Sequence, residues 1–261
     1  MYSTMTDTAA PTGFWTGLAN PTRFLVLAGR VIPWLAWLAA LLVAAGLTMG
    51  FLAPEDYQQG VTVRIMYIHV PFAWIAMMCY SVMAVSALGT LVWKHPLADV
   101  ALKAAAPLGA VFTALSVVTG SIWGRPMWGT WWVWDARLTS VFILFLMYLG
   151  IIALTRALDD PTRSARAAAV VTLVGFVNIP IIKFSVQWWN TLHQPASVFR
   201  MDGPTIHSSL LWPLLVSAAG FSALFFTLHL MAMRTEIWRR RIASLRRLAA
   251  RRADRPEGVR S

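Results

Sequence analysis

LTSVFILFLMYLGIIALT, residues 138–155, runs without a charged side chain and is bounded by Asp135 and Arg137 on one side and Arg156, Asp159 and Asp160 on the other. Roughly 20 apolar residues in a helix cross the hydrocarbon of a bilayer, about 30 Å thick. The stretch therefore reads as a membrane span. Outward from it, similar stretches occupy 31–53, 66–93, 104–123, 167–186 and 208–231. The expected fold is all-α: a polytopic bundle of six transmembrane helices with an outward, amphipathic, Trp-rich segment at 121–140. The chain divides into an arm (1–30), the membrane domain (31–232) and a basic tail (233–261). Composition agrees, with 58% apolar and 13% charged residues among 261. Soluble domains are nearer half and a quarter, so a disordered chain and an ordinary soluble enzyme are excluded. The first span follows a polar stretch containing Pro11 and Pro21 and exceeds the apolar core of a signal peptide, so it reads as a retained helix.

Six spans place both termini on one side. Seventeen basic residues fall on that side: Arg23 and Arg30, Lys94 and Lys103, Arg156, Arg163 and Arg166, and ten arginines from Arg234 to Arg260. Only Arg64, Arg125, Arg137 and Arg200 fall on the other, and Lys183 lies within a span. Basic residues stay in the cytoplasm, so the termini are expected there and connections 1–2, 3–4 and 5–6 outside. The net charge of +11 is thus topological. The tail, WRRRIASLRRLAARRADRPEGVRS from Trp238, reads as a basic helix held to acidic lipid. It lacks the interleaved aromatics of a nucleic-acid surface. The single cysteine, Cys79, excludes an internal disulfide and a cysteine metal cluster.

The unusual segment is SIWGRPMWGTWWVWDARLTS, 121–140, with five tryptophans between Trp123 and Trp134. With a helix begun near Pro126, Trp128, Trp131, Trp132 and Asp135 share one face. Such a shelf exceeds what an interfacial aromatic belt requires and suits a planar, conjugated ligand. His69, in RIMYIHVPFAW, and His193, in QWWNTLHQPASVF, stand at the same outward boundary. Two facing neutral imidazoles can bind one iron axially. His207 is a reserve candidate. His95 faces the other side and His229 lies deep in the sixth span. A ligand with carboxylates needs cations, and Arg64 and Arg137 rank above Arg125, with Arg200 last because Asp202 neutralises it. Asn178, Pro180 and Lys183 predict a kinked, polar-lined fifth span facing the bundle.

The pattern W-G-x-x-W-x-W-D-x-R-L-T at 128–139, with the two histidine segments and six spans, resembles the CcmC family of haem-handling membrane proteins of bacterial cytochrome c maturation. The resemblance covers about residues 31–232. It implies a haem-binding patch formed by Trp128, Gly129, Trp131, Trp132, Trp134, Asp135 and Arg137 on the periplasmic face of the inner membrane, with His69 and His193 as axial ligands of a non-covalently held, b-type haem. It also implies loading of haem onto the chaperone CcmE, alongside the subunits CcmA, CcmB and CcmD. The chain has no Walker loop, so ATP energy must come from a partner, and no Cys-x-x-Cys-His site, so it is not a c-type cytochrome. It reads as an attachment factor rather than a classical enzyme. Two other readings are a permease subunit of an ATP-driven exporter, which requires ionisable residues along several spans, and another haem-handling protein such as a cytochrome c synthase (CcmF or CcsA), which requires more spans and further intramembrane histidines.

Overall fold

The computed structural model describes residues 19–253. The expected arm, up to residue 18, and Arg255 and Arg260 of the tail lie outside the described residues. Among those described, six helices are long and apolar enough to cross a membrane, as expected. They are built from α1 (Pro21–Leu52), α2 (Met66–Leu91, preceded by a 3-10 turn at Val61–Ile65), α3 (Ala98–Trp128), α4 (Ala136–Ala157), α5 (Pro161–Gly175) with α6 (Asn178–Trp188), and α7 (Ser208–Ala253).

Helix α1 starts ten residues before the expected span. Asn20 caps it, its Oδ1 accepting from the Thr22 N–H at 2.8 Å, and Pro21 supplies a first helical position with no N–H to satisfy. Helix α1 lies antiparallel on α7 along its length: Thr22 meets Arg241, Val43 meets Gly220 and Gly46 meets Ser217. Two glycines make this approach possible. A Cβ on Gly46 would stand 2.6 Å from the Ser217 nitrogen, and one on Gly220 would stand 2.6 Å from the Val43 nitrogen. Small residues let membrane helices close where lipid offers no hydrophobic drive.

Helices α2, α3 and α4 form the centre. Tyr148 seats its ring on Gly109 and its hydroxyl donates to the Ala76 carbonyl at 2.7 Å. Cys79 is buried among them, its thiol directed at the Ala105 carbonyl, and is a free thiol. The fifth span breaks at Phe176–Val177. Pro180 has no N–H to offer the Phe176 carbonyl and its ring crowds that position. The Ile179 N–H takes the Phe176 carbonyl at 3.0 Å instead. Asn178 is buried at the break and donates to the Ser140 carbonyl at 2.9 Å, so the polar kink faces the bundle. Helix α7 continues unbroken past the apolar stretch; its 46 residues extend roughly 70 Å at 1.5 Å per residue. Met233 and Ile237 still pack on α3, and residues 242–250 form an exposed basic arm.

One expectation is corrected. The Trp-rich segment is not a helix starting at Pro126. Helix α3 ends at Trp128, because Gly129 takes a left-handed φ of 75° and its N–H bonds the Arg125 carbonyl. Residues 129–135 are irregular, so Trp128, Trp131, Trp132 and Asp135 do not share a helical face.

Candidate functional site

Connections 1–2, 3–4 and 5–6 meet at one end of the bundle and enclose a cavity of about 580 Å³. His69 enters it from the first turn of α2 and His193 from the irregular segment between α6 and α7. Their rings are nearly parallel, 14° apart, with centroids separated by 6.4 Å. Two axial imidazoles on one metal require a similar span of about 6 Å, given metal–nitrogen bonds of about 2 Å each and the ring radii.

His69 is fixed from behind. Its Nδ1 lies 3.1 Å from the Ser116 carbonyl and 3.2 Å from Thr119 Oγ1. A carbonyl only accepts, so Nδ1 carries the proton and Nε2 keeps its lone pair. The ring rests on α3 where Gly120 has no side chain; a Cβ there would approach His69 Cε1 to 2.8 Å. Trp123 meets the same ring edge to face at 5.6 Å and anchors its own indole N–H on Gln59 Oε1 at 3.1 Å.

His193 is half-buried, and Trp128 packs edge to face on it at 5.2 Å. Burial, then the Arg137 guanidinium and the His69 ring, lower its pKa from the ordinary value to about 3, against an upward pull from Asp135. The ring is thus a neutral, lone-pair-bearing imidazole at neutral pH. Asp135 holds its backbone in place. One carboxylate oxygen caps α4 by accepting from the Leu138 N–H at 2.7 Å, and the other accepts from the Thr191 hydroxyl at 2.5 Å. That hydroxyl oxygen in turn accepts from the His193 N–H at 2.9 Å.

Of the residues singled out from sequence, His69, His193, Trp128, Trp132 and Arg137 line the cavity. Arg137 does not pair with Asp135; its Nε donates to Ser185 Oγ at 2.9 Å. Trp132 carries a buried indole N–H with no partner among the described residues. Trp131 and Trp134 are 58% and 71% exposed and point away from the cavity. Gly129 ends α3, and Arg125 caps that end by donating to the Gly129 carbonyl. Arg64 lies over the Phe51 ring at 4.9 Å, outside the cavity wall. Lys183 and Arg200 line it instead. His207, the reserve candidate, accepts from the Ser209 N–H at the start of α7 and so caps that helix. Sequence reading missed Gly120, Gln59, Ser116 and Thr191. Gly120 and Trp123 were visible as one face of a helix, three residues apart; the Ser116 contact uses a backbone carbonyl, which leaves no mark in a sequence.

Residues 14–248 match the family model described as "Heme exporter protein C". The chain is similar to "Heme exporter protein C" of Bradyrhizobium diazoefficiens, 67% identical over 89% of each chain, and of Escherichia coli, 50% identical over 84% of this chain and 89% of the other. It is also 50% identical to a "Putative cytochrome c biosynthesis ccmC-like mitochondrial protein" of Marchantia polymorpha, over 69% of this chain and 77% of the other. The chain belongs to the CcmC family of heme exporter proteins.

Proposed function

We propose that this chain holds haem in the cavity between His69 and His193 and presents it for covalent loading of the chaperone CcmE during cytochrome c maturation. Membership of the family places the protein in haem handling. The observation that carries the finer reading is the parallel imidazole pair at 6.4 Å, with the second nitrogen of His69 held by a backbone carbonyl. The remaining wall suits a flat dicarboxylate. Trp128 and Trp132 supply apolar ring surface. Arg137 and Lys183 supply cations, and the orphaned Trp132 indole N–H supplies a donor that awaits an acceptor. His69 and His193 would hold the iron of a bound haem, and Trp128, Trp132, Arg137 and Lys183 would orient it.

Presentation requires an accessible edge. Trp131, Trp134 and Trp189 form exposed aromatic surface in the same two connections and offer a partner a landing place beside the cavity. The basic asymmetry supports a topology with both termini in the cytoplasm and the site on the periplasmic face of the inner membrane, and the family resemblance supports CcmA, CcmB and CcmD as the assembly that supplies energy. The absorbance spectrum of purified protein tests the reading. Wild type should show a low-spin, bis-imidazole haem band. His69→Ala and His193→Ala should each lose it, and His95→Ala should keep it. Unchanged spectra in both site variants would reject the pair as ligands. Haem staining of CcmE after denaturing electrophoresis, with the same variants, tests the transfer step.

A further inference from the structure

At the end of the bundle opposite the histidine pair, a second cavity of about 700 Å³ opens between α3, α4 and α7. Helices α4 and α7 each pack on α3 and leave a groove between them. Its lining is ordered along the membrane normal. On α3, Lys103 lies one turn nearer the end where α1 begins than Pro107 does. On α4, Arg156 lies one turn nearer that end than Ile152. On α7, Arg239 lies about two turns nearer it than Ala232. Three helices thus each place a cation at the membrane surface and an apolar side chain behind it.

The acidic groups nearby are already engaged. Glu236 pairs with Arg239 at 2.6 Å and Arg240 at 2.8 Å, and Asp99 pairs with Arg240 at 2.7 Å. Lys103 and Arg156 make no hydrogen bond or contact ion pair among the described residues, so the groove mouth retains positive charge. We infer that this groove is a binding site for one acidic phospholipid, its phosphate between Lys103 and Arg156 and an acyl chain along Ile152, Leu108 and Pro107. Basic pockets between membrane helices on the cytoplasmic side take acidic head groups in this way. The inference stands independently of the haem reading and goes beyond the diffuse attraction of the exposed arm, because here the charge sits over an apolar slot.

Native mass spectrometry of the full chain in neutral detergent tests it, with phosphatidylglycerol and phosphatidylcholine of matched acyl chains as probes. Wild type should retain one phosphatidylglycerol with roughly thirtyfold preference, as two cations at about 1 kcal/mol each provide. Lys103→Gln with Arg156→Gln should abolish the preference. Arg246→Gln with Arg247→Gln, which removes the same charge from the exposed arm, should leave it intact. Ile152→Trp should expel the lipid with every charge in place. Equal retention of both lipids by wild type, equal loss in the arm variant, or full retention by Ile152→Trp would each overturn the site. Displacement of the lipid by haem, in a chain carrying His69→Ala and His193→Ala, would assign the groove to haem instead.

Discussion

His69 and His229 both sit buried on membrane helices, and in the sequence each is a lone histidine in an apolar run. Their surroundings diverge. His69 has a glycine seat, a carbonyl behind Nδ1, an indole at its edge and a second imidazole in front. His229 stacks on Phe225 at 5.6 Å and 9°, and its Nδ1 has no partner among the described residues. A metal-ready imidazole is defined less by burial than by what holds its other nitrogen, since that contact fixes both tautomer and ring plane. The regions around them differ likewise. The connections near His69 are long and aromatic, whereas the turn after α4 is three residues, closed by Asp160 accepting from the Arg163 N–H at 2.6 Å.

The largest effect should come from removing the facing imidazole without touching it. Asp135→Ala deletes the α4 cap, worth about 1 kcal/mol, and releases Thr191, which holds the His193 backbone. Loss of such an outer-shell partner typically costs about 10–100-fold in metal affinity. Haem titration of the purified variant should show a fall of that size, with the low-spin band replaced by a high-spin one. A variant that binds haem as wild type does would show that His193 needs no tether, and the contrast with His229 would lose its physical basis.

Next in size is Gly120→Ala. The added methyl must displace the His69 ring, an overpacking strain of about 1–3 kcal/mol, so haem affinity should fall roughly tenfold while the helix, gaining alanine, keeps its stability. Equilibrium titration followed at the Soret band, with thermal unfolding in parallel, separates the two. A smaller effect is expected from Trp132→Phe. It keeps an aromatic ring in the wall but removes the orphaned N–H together with part of the indole surface, so haem retention should drop several-fold, at least the worth of one hydrogen bond at about 0.5–1.5 kcal/mol. Retention equal to wild type would show that this N–H meets no ligand.

These contrasts also mark what was legible in the sequence. Six spans, the meeting of three connections at one end and the pairing of His69 with His193 follow from hydropathy, parity and charge. The placement of Trp131 does not: a helical period counted from Pro126 put it beside Trp128 and Trp132, but Gly129 stops α3 and turns Trp131 outward. A glycine after a helical run is a recognised stop signal, and it was readable. Arg64, ranked with Arg137 as a partner for carboxylates, instead leaves the 3-10 turn toward the Phe51 ring. The start of α1 was readable too, in Asn20–Pro21. The roles of Ser116 and Gln59 were not, since each depends on which turn of α3 faces the first connection.

The smallest effect, and the one that completes the comparison, concerns His229 itself. A buried polar atom without a partner costs about 1–3 kcal/mol of desolvation, and replacing it with an apolar group of similar shape can be neutral or stabilising. Phenylalanine keeps the stacked ring against Phe225 and removes the orphaned nitrogens. His229→Phe should therefore leave the haem spectrum and haem content unchanged and hold or raise the melting temperature, by a few degrees at most. His69→Phe, with a similar change of shape, should lose the spectrum. If His229→Phe instead destabilises the protein or alters its haem, then the nitrogen facing the interior of the bundle has a partner in the working molecule. The deep histidine would then belong with His69 among the functional ones, as the alternative of a second internal haem site requires.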